Sequence, residues 1–175
     1  PGGRQTHIVA AGLTVPYRDP LRYAVVLVGT ALGGGMSSRL FQRVREERGL
    51  AYSVYTFHSF FAAGGHAGAY LGTSPETADE ARDVLLREMH DVATAGPTAD
   101  ELEETRKQMK GHLTLSLESP GARMNRLAGL ALYDEPYRTL DEIARQIDAI
   151  DEEAARAAAS LLHPDRLAVL ELSPD

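Results

Sequence analysis

The stretch AYSVYTFHSFFAAGGHAGAYLGT, Ala51–Thr73, decides the fold. It begins with a run that is rich in aromatic and β-branched residues, and it ends with a run that alternates in period two. Both patterns predict β-strands, and the FAAGG that joins them predicts the turn of a β-hairpin. The chain is therefore expected to build an antiparallel sheet around this hairpin.

On the N-terminal side of the hairpin, the sequence predicts a strand and then two helices. His7–Val15 is apolar and indicates a strand, and Asp19-Pro20 supplies an N-cap and a first-turn proline for a helix. The valines of the following LRYAVVLVGTAL favour a strand, but its length and capping favour a buried helix, which we predict. After three glycines, Ser37 or Ser38 is expected to cap a second helix that runs through Glu47.

On the C-terminal side, start and stop signals predict a run of helices. Ser74-Pro75 opens the first helix, and Gly96-Pro97 ends it. The other helices begin at two capping boxes, Thr98–Glu101 and Thr139–Glu142, at Ser119-Pro120 and at Asp151. DRLAVLEL then closes the chain as a strand. Because strands and helices do not alternate, we predict an α+β fold with a largely antiparallel sheet covered by helices. Residues 7–175 form one domain in this prediction, and residues 1–6 are an interdomain linker.

The composition excludes several classes of protein. The chain has 175 residues, of which 43% are hydrophobic and 25% charged, as in an ordinary globular domain. A formal charge of −7 argues against nucleic-acid binding, which needs a basic surface. There are no cysteines, so disulfides, thiolate zinc sites and thiol catalysis are excluded. No apolar run approaches the roughly 20 residues of a membrane span.

The glycines Gly33, Gly34 and Gly35 suggest a phosphate-binding loop, but they do not match one. Met36 stands where a phosphate loop has its lysine, and the spacing of a dinucleotide loop is missing as well. Two interpretations stay open. The glycines form a helix-to-helix turn that needs positive φ, or they admit the backbone of another chain, such as an extended peptide. Ser37 and Ser38 lie outside any G-x-S-x-G motif, so they are not predicted nucleophiles.

The six histidines predict no metal site. None of them forms an H-x-x-E-H or H-x-x-x-H pair, which would place two imidazoles on one helix face. His58 and His66 lie on the two hairpin strands, and whether they face each other depends on the register.

Arg45 and Tyr52 are the remaining candidates for chemistry. Arg39, Arg43, Arg45 and Arg48 surround Glu46-Glu47 at a helix end, which is consistent with dipole compensation and i,i+4 pairing. However, a tight turn at Gly49 would bring the Arg45 guanidinium and the Tyr52 phenol to one surface. Both groups donate hydrogen bonds and neither acts as a general base, which suits them to hold a carbonyl or an oxyanion.

The segment GGGMSSRLFQRVREERGLAYSVY resembles the second half of pitrilysin-type zinc peptidases. These inverzincins include the insulinase and mitochondrial-processing-peptidase relatives, and the chain is most similar to the bacterial processing-peptidase-like branch. The similarity continues through GTSPETADEARDVLLREM, TADELEETRKQMKGHLTLSLES and LDEIARQIDAID to LLHPDRLAVLEL, and so covers nearly the whole chain.

The resemblance implies half of a two-part clamshell enzyme. The first half carries H-x-x-E-H and a distal Glu that hold Zn²⁺, whereas the second half lacks metal and closes the chamber. The family's Arg and Tyr fall on Arg45 and Tyr52, which would contact the substrate and the developing oxyanion. Gly33, Gly34 and Gly35, together with Ser37, fall in the loop that guides peptides, although this loop is shorter than in the processing peptidase.

The resemblance also implies the partners and the limits of this chain. Its expected partners are a homologous zinc-binding N-terminal domain or subunit and a peptide substrate, with a homodimer or heterodimer as the assembly. The chain alone is expected to be inactive. The alternative function is that of a noncatalytic assembly or scaffold subunit of the same family. The expected location is the bacterial cytoplasm.

Overall fold

Within residues 5–174, which the structure describes, a four-stranded antiparallel sheet forms the centre of the fold. In this computed structural model the strands are β1 (Thr6–Thr14), β2 (Ser53–Phe60), β3 (Gly65–Thr73) and β4 (Leu167–Leu172). They lie in the order β2-β3-β1-β4, so the last strand pairs beside the first. The β2–β3 pairing confirms the predicted hairpin.

The predicted linker, residues 1–6, is only partly covered by the structure. Residues 1–4 lie outside the described residues, and Thr6 already belongs to β1.

Six α-helices accompany the sheet in the described part of the chain. They are α1 (Arg22–Gly33), α2 (Ala78–Ala95), α3 (Ala99–Ser116), α4 (Pro120–Leu132), α5 (Leu140–Asp148) and α6 (Glu152–Ser160). The ambiguous LRYAVVLVGTAL segment is helical, as predicted, and its valines and leucines are mostly buried. None of the described helices combines the length and the hydropathy that a membrane crossing requires.

The boundaries of the helices after the hairpin follow the sequence signals closely. Thr98 and Thr139 each form a complete capping box, and the Asp151 carboxylate accepts a hydrogen bond from the Ala154 N–H at 2.8 Å. Gly96 ends α2 with φ of 79°, a conformation that favours glycine. These local hydrogen bonds explain why the predicted starts and stops agree with the structure.

Helix α1, by contrast, begins at Arg22 and not at Pro20. The Asp19 carboxylate accepts the Leu21 N–H at 2.8 Å without capping the helix.

The helices bury one face of the sheet. Ile8, Ala10 and Leu71 point into this core and are fully buried. On the helical side the core is filled mainly by α1, α2 and α6, with fully buried residues that include Leu27, Val28, Leu32, Leu85, Met89, Ala155 and Ala159. Burying such side chains contributes about 1.5–3 kcal/mol each relative to exposing them.

The opposite face of the sheet, here called the open face, remains apolar and accessible in residues 5–174. One row of cross-strand neighbours runs over it through Tyr55, Tyr70, Val9 and Leu170. Leu170 is 67% exposed, and Leu13, also on this face, is 83% exposed. A monomeric domain seldom leaves so many large apolar side chains together in water.

Helix α4 is also poorly buried. It has no buried residue, and Met124, Leu127 and Leu132 are all exposed. Its end is attached to the rest of the domain by Tyr133, whose ring stacks on Tyr17 at 3.9 Å between centroids. The helix forms where Ser119-Pro120 predicts it, but its apolar residues do not enter the core.

Candidate functional site

The three glycines allow close packing inside the domain, and the predicted positive-φ turn is wrong. Gly34 has φ of −88°, and the glycines with positive φ in residues 5–174 are Gly49 and Gly96. Gly33 is buried, and a Cβ atom there would lie 2.9 Å from the backbone nitrogen of Thr56 in β2. The absence of a side chain at Gly33 therefore lets α1 pack directly against β2.

Polar side chains hold the loop after α1 through its carbonyl groups. The Gln108 side chain donates to the Gly34 carbonyl at 3.1 Å, and the Gln42 side chain donates to the Met36 carbonyl at 2.6 Å. Ser38 is buried and its hydroxyl donates to the Gly35 carbonyl, so it does not cap a helix as predicted. The loop is thus fixed from two sides, with Gly34, Met36 and Ser37 exposed.

No sequence signal identified the two glutamines. Gln42 and Gln108 are 66 positions apart, and although both lie in segments that resemble the peptidase family, nothing in those segments marks their side chains as contacts of the glycine loop. Only the packing of α3 beside the glycine loop brings the Gln108 amide to Gly34.

The helix predicted to run through Glu47 is a π-helical segment, Phe41–Glu46. Its wider turn is seen in the bond from the Glu47 N–H to the Gln42 carbonyl, which spans five residues at 2.9 Å. Over a single turn, apolar spacing does not distinguish an i,i+4 from an i,i+5 hydrogen-bond pattern, so the sequence predicted a helix here but not that it would be π-helical. Single π-helical turns occur often at functional sites.

Arg45 differs from the three arginines around it. Arg43 and Arg48 both pair with Glu47, at 3.1 and 3.5 Å, and Arg39 pairs with Glu101. Arg45 is exposed, forms no ion pair among residues 5–174, and lies over the Phe41 ring at 4.9 Å. Simple charge pairing therefore accounts for three of the arginines and leaves the Arg45 guanidinium available.

Tyr52 stands at the other end of a short, well-anchored turn. Gly49, with φ of 63°, reverses the chain, and the Leu50 N–H donates to the Val44 carbonyl at 2.9 Å. Leu50 and Ala51 are buried, whereas Tyr52 is 60% exposed, and its hydroxyl has no hydrogen-bond partner in the described chain. The Tyr52 N–H donates to the Gly72 carbonyl at 2.9 Å and so joins the residue to the sheet.

The ion pair of Arg39 and Glu101 connects this region to α3. The Arg39 guanidinium donates two bonds to the Glu101 carboxylate, at 2.5 and 2.7 Å, and the carboxylate also accepts the Thr98 N–H at 2.7 Å. Burial raises the pKa of Glu101, but the bonds from Arg39 and Thr98 outweigh it, so that the pKa lies below its ordinary value.

Replacing Glu101 with Gln is expected to remove pH-dependent stability. Since the pKa of Glu101 is lower in the folded chain than in the unfolded chain, its contribution is present above the unfolded pKa and is lost as the pH falls through the folded pKa. We expect Glu101→Gln to lower the free energy of unfolding by about 1–2 kcal/mol at pH 7, with a smaller difference at pH 3.5. Urea denaturation at both pH values measures this.

Glu103→Gln is the matched control, because Glu103 pairs with Lys107 on the exposed side of the same helix. An exposed pair contributes little, so this variant should stay close to the original chain. Equal losses in both variants at pH 7 would contradict the role given to Glu101.

The histidines do not assemble a metal site in the described residues. His58 pairs with Ala67 in the sheet and His66 pairs with Ser59, so the two imidazoles lie on opposite faces. Partial burial lowers the pKa of His58. His90 and His163 meet at 5.0 Å between ring centroids, a contact not predicted from the sequence. Across residues 5–174, no three His, Asp or Glu side chains are arranged to hold a metal ion.

Comparison with known proteins agrees with the fold and with the resemblance. The model of the peptidase M16 inactive domain matches residues 1–109. This chain belongs to the peptidase M16 inactive-domain family. The family includes the zinc peptidases that the GGGMSSRLFQRVREERGLAYSVY segment resembles, and the expected α+β architecture is confirmed by structures of M16 inactive domains.

Relatives that are named uncharacterized zinc proteases are considerably longer than this chain. An uncharacterized zinc protease of Streptomyces coelicolor is 39% identical over 155 residues, which are 89% of this chain and 34% of that protein. The uncharacterized zinc protease YmxG of Bacillus subtilis is 38% identical over 152 residues, 87% of this chain and 37% of that protein. The M16 inactive domain described here thus spans little more than a third of these relatives.

Solved structures of M16 inactive domains have the same fold. A Pseudomonas fluorescens structure superposes with a TM-score of 0.88 at 27% identity over 99% of this chain and 42% of its own. The inactive peptidase domain of a putative zinc protease from Bordetella parapertussis has a TM-score of 0.85 at 18% identity. This chain covers 95% of that structure, so a domain of this size crystallises by itself.

Proposed function

We propose that this M16 inactive domain is the substrate-contacting half of a zinc endopeptidase that cleaves peptides or unfolded chains. The observation that carries the proposal is the pair Arg45 and Tyr52, two exposed donors on either side of a rigid turn. Within residues 5–174, the Arg45 guanidinium has no ion-pair partner and the Tyr52 hydroxyl has no hydrogen-bond partner. Residues 5–174 contain no cluster of side chains that could hold zinc, so we assign the zinc to a separate N-terminal domain or subunit.

The two donors suit the charge that develops during peptide hydrolysis. The Tyr52 hydroxyl would donate to the scissile carbonyl oxygen as it becomes an oxyanion, a contact that strengthens in the transition state. The Arg45 guanidinium would donate to a backbone carbonyl of the peptide and hold it in place. Since neither group is a base at neutral pH, activation of water belongs to the zinc-binding half.

The loop after α1 is proposed to guide the peptide through its exposed part. Gly34 and Ser37 are accessible, and Gly35 is partly so, which leaves room for an extended chain beside them. Gly33 faces Thr56 inside the domain. Its part in substrate binding is therefore indirect, through the position of the loop.

The test of this function is reconstitution from separate halves. The zinc-binding half, expressed alone, should cleave a fluorogenic peptide slowly or not at all, and the addition of this domain should restore cleavage. Added domain carrying Arg45→Ala should restore much less. Full activity of the zinc-binding half alone would contradict the proposal.

The open face and α4 are proposed to be where the zinc-binding half docks. Both present large apolar side chains to water within the described residues, and the longer relatives contain a further portion that would cover such a surface. Neither surface includes Arg45 or Tyr52, so docking there leaves the two donors accessible.

Leu170→Asp is expected to weaken the association of the two halves by at least about 10-fold. Burying a Leu side chain contributes about 1.5–3 kcal/mol, and a factor of ten corresponds to 1.4 kcal/mol. Calorimetric titration of the separate halves measures the change. Val169→Asp is the control, because Val169 is the neighbouring partly exposed residue and faces the helix side of β4. A larger loss with Val169→Asp would contradict docking on the open face.

A noncatalytic assembly subunit is the second candidate function. It is supported by a relative in Helicobacter pylori, 33% identical over 94 residues, that is named a non-peptidase homolog. The sequence of the zinc-binding half distinguishes the two candidates. H-x-x-E-H followed by a distal Glu supports the peptidase, and the loss of that motif supports the scaffold.

A further inference from the structure

A cleft that is distinct from the Arg45 and Tyr52 surface lies on the helix side of the sheet. It has a volume of about 290 Å³ and opens between α1, β2, α3, α4 and α5. His58, near the end of β2, lines it, and it lies six positions after Tyr52, which corresponds to about 20 Å of extended chain. We call it the arginine cleft because Arg22, Arg126 and Arg138 line it.

No carboxylate lines the arginine cleft within residues 5–174. The Arg22 guanidinium donates to the Tyr17 carbonyl at 2.7 Å and lies over two rings, Tyr17 at 4.1 Å and Tyr23 at 4.7 Å. The Arg126 guanidinium donates to the Arg138 carbonyl and lies over Tyr137 at 5.4 Å. Both cations are therefore held by neutral groups, which position the charge without compensating it.

The third arginine is compensated from outside the cleft. Arg138 pairs at 2.6 Å with Glu135, a mostly buried carboxylate that also lies 3.8 Å from Arg18. Arg18 itself pairs with Asp134 at 2.9 Å, so the charges beside the cleft are balanced. Arg22 and Arg126 are the two lining guanidinium groups with no ion-pair partner in the described chain. A cleft with this excess of positive charge, in a domain of net charge −7, favours an anion.

The rest of the cleft is apolar and already in place. Phe60, Leu130 and Ile143 form part of its wall. The Tyr133 hydroxyl donates to the Phe60 carbonyl at 3.2 Å and fastens the end of α4 beside the opening. Arginines whose side chains are already stacked lose little freedom when they bind, which favours affinity.

We propose that the arginine cleft binds a carboxylate that carries an apolar group. The guanidinium groups of Arg22 and Arg126 are free to donate to the carboxylate oxygens, and the apolar wall takes the attached group. The free C-terminus of a peptide that ends in an apolar residue has this chemistry, and so does a short aliphatic acid.

Titration of the 175-residue domain tests the proposal, followed by ¹H–¹⁵N NMR shifts and calorimetry. The probes are N-acetyl-leucine for a peptide C-terminus, hexanoate for a free aliphatic acid, and N-acetyl-leucinamide as the uncharged control. We expect saturable binding of at least one acid, with shifts at His58 and Phe60, and at least tenfold weaker binding of the amide. Tighter binding of N-acetyl-leucine identifies chain ends as the ligand, and tighter binding of hexanoate identifies free acids.

Variants distinguish the cleft from general attraction to a charged surface. Arg22→Gln and Arg126→Gln should each weaken binding at least tenfold, whereas Arg87→Gln, at an exposed position of α2, should not. Arg126→Lys keeps the charge and should weaken binding less than Arg126→Gln, provided both variants keep the circular dichroism spectrum of the original domain. Equal binding of acid and amide, or unchanged binding in both Gln variants, would overturn the proposal without affecting that for Arg45 and Tyr52.

Discussion

Under the proposed function, replacement of Tyr52 by Phe in the full-length protein is expected to lower kcat for peptide cleavage by about 100-fold. Loss of one oxyanion donor typically costs a factor of 10²–10³ in kcat. Since the Tyr52 hydroxyl has no partner in the described domain, its removal breaks no bond there, and the fold should keep its stability. KM should change little, because the bond is stronger in the transition state than in the bound substrate. Steady-state kinetics with a fluorogenic peptide measures both constants.

Tyr55→Phe provides the matched control for this prediction. Tyr55 lies in β2, three positions after Tyr52, is also exposed, and stacks on Tyr70 at 4.9 Å on the open face. The Tyr55 hydroxyl is not proposed to contact the substrate, so its loss should leave kcat within about twofold of the value for the original protein. Equal kcat values for the Tyr52→Phe variant and the original enzyme would exclude the proposed oxyanion contact.

Replacement of Gly33 by Ala is expected to lower the free energy of unfolding by about 2 kcal/mol, within the usual range for overpacking. The added Cβ would lie 2.8 Å from the Thr56 Cγ2 and 2.9 Å from its backbone nitrogen. Thr56 has little room to move, because its hydroxyl donates to the Gly29 carbonyl at 2.7 Å. Thermal unfolding should show a decrease in Tm of about 6 °C for a domain of this size.

Gly111→Ala is the matched control for Gly33→Ala. Gly111 lies in α3, and a Cβ there would meet no atom within 4 Å. Alanine favours a helix over glycine by about 0.5–1 kcal/mol, so this variant should be more stable. If Gly33→Ala left stability unchanged and instead raised KM for a peptide, Gly33 would contact the substrate directly, contrary to its position against β2.

Particular residues show how far the sequence predicts this domain. The hairpin of Ala51–Thr73, the capping boxes at Thr98 and Thr139, and the end of α2 at Gly96 all agree with the structure. Each depends on a pattern within a few residues, such as alternation, a cap or a positive φ. Arg45 and Tyr52 were selected from the sequence, first as donors near a turn and then through the family resemblance, and their chemical role stays a prediction.

The errors concern contacts between distant segments. One of the two interpretations of the glycines was a positive-φ turn, but the structure shows Gly33 packed against Thr56, a residue of β2 that comes 23 positions later in the chain. Ser37 or Ser38 was expected to cap a helix, yet the Ser38 hydroxyl donates to the Gly35 carbonyl. The π-helical segment was also missed, because over one turn its side-chain spacing resembles that of an α-helix.

The sequence by itself determined most of the secondary structure, the α+β class and the choice of the two residues proposed for chemistry, because these follow from local hydrogen bonds and from side-chain identity. The tertiary structure alone decided which arginines are paired, which face of the sheet is open, and that Arg22, Arg126 and Arg138 line one cleft. Those features depend on how segments far apart in the chain pack together, and the spacing of residues along the sequence does not give the distance between such segments in space.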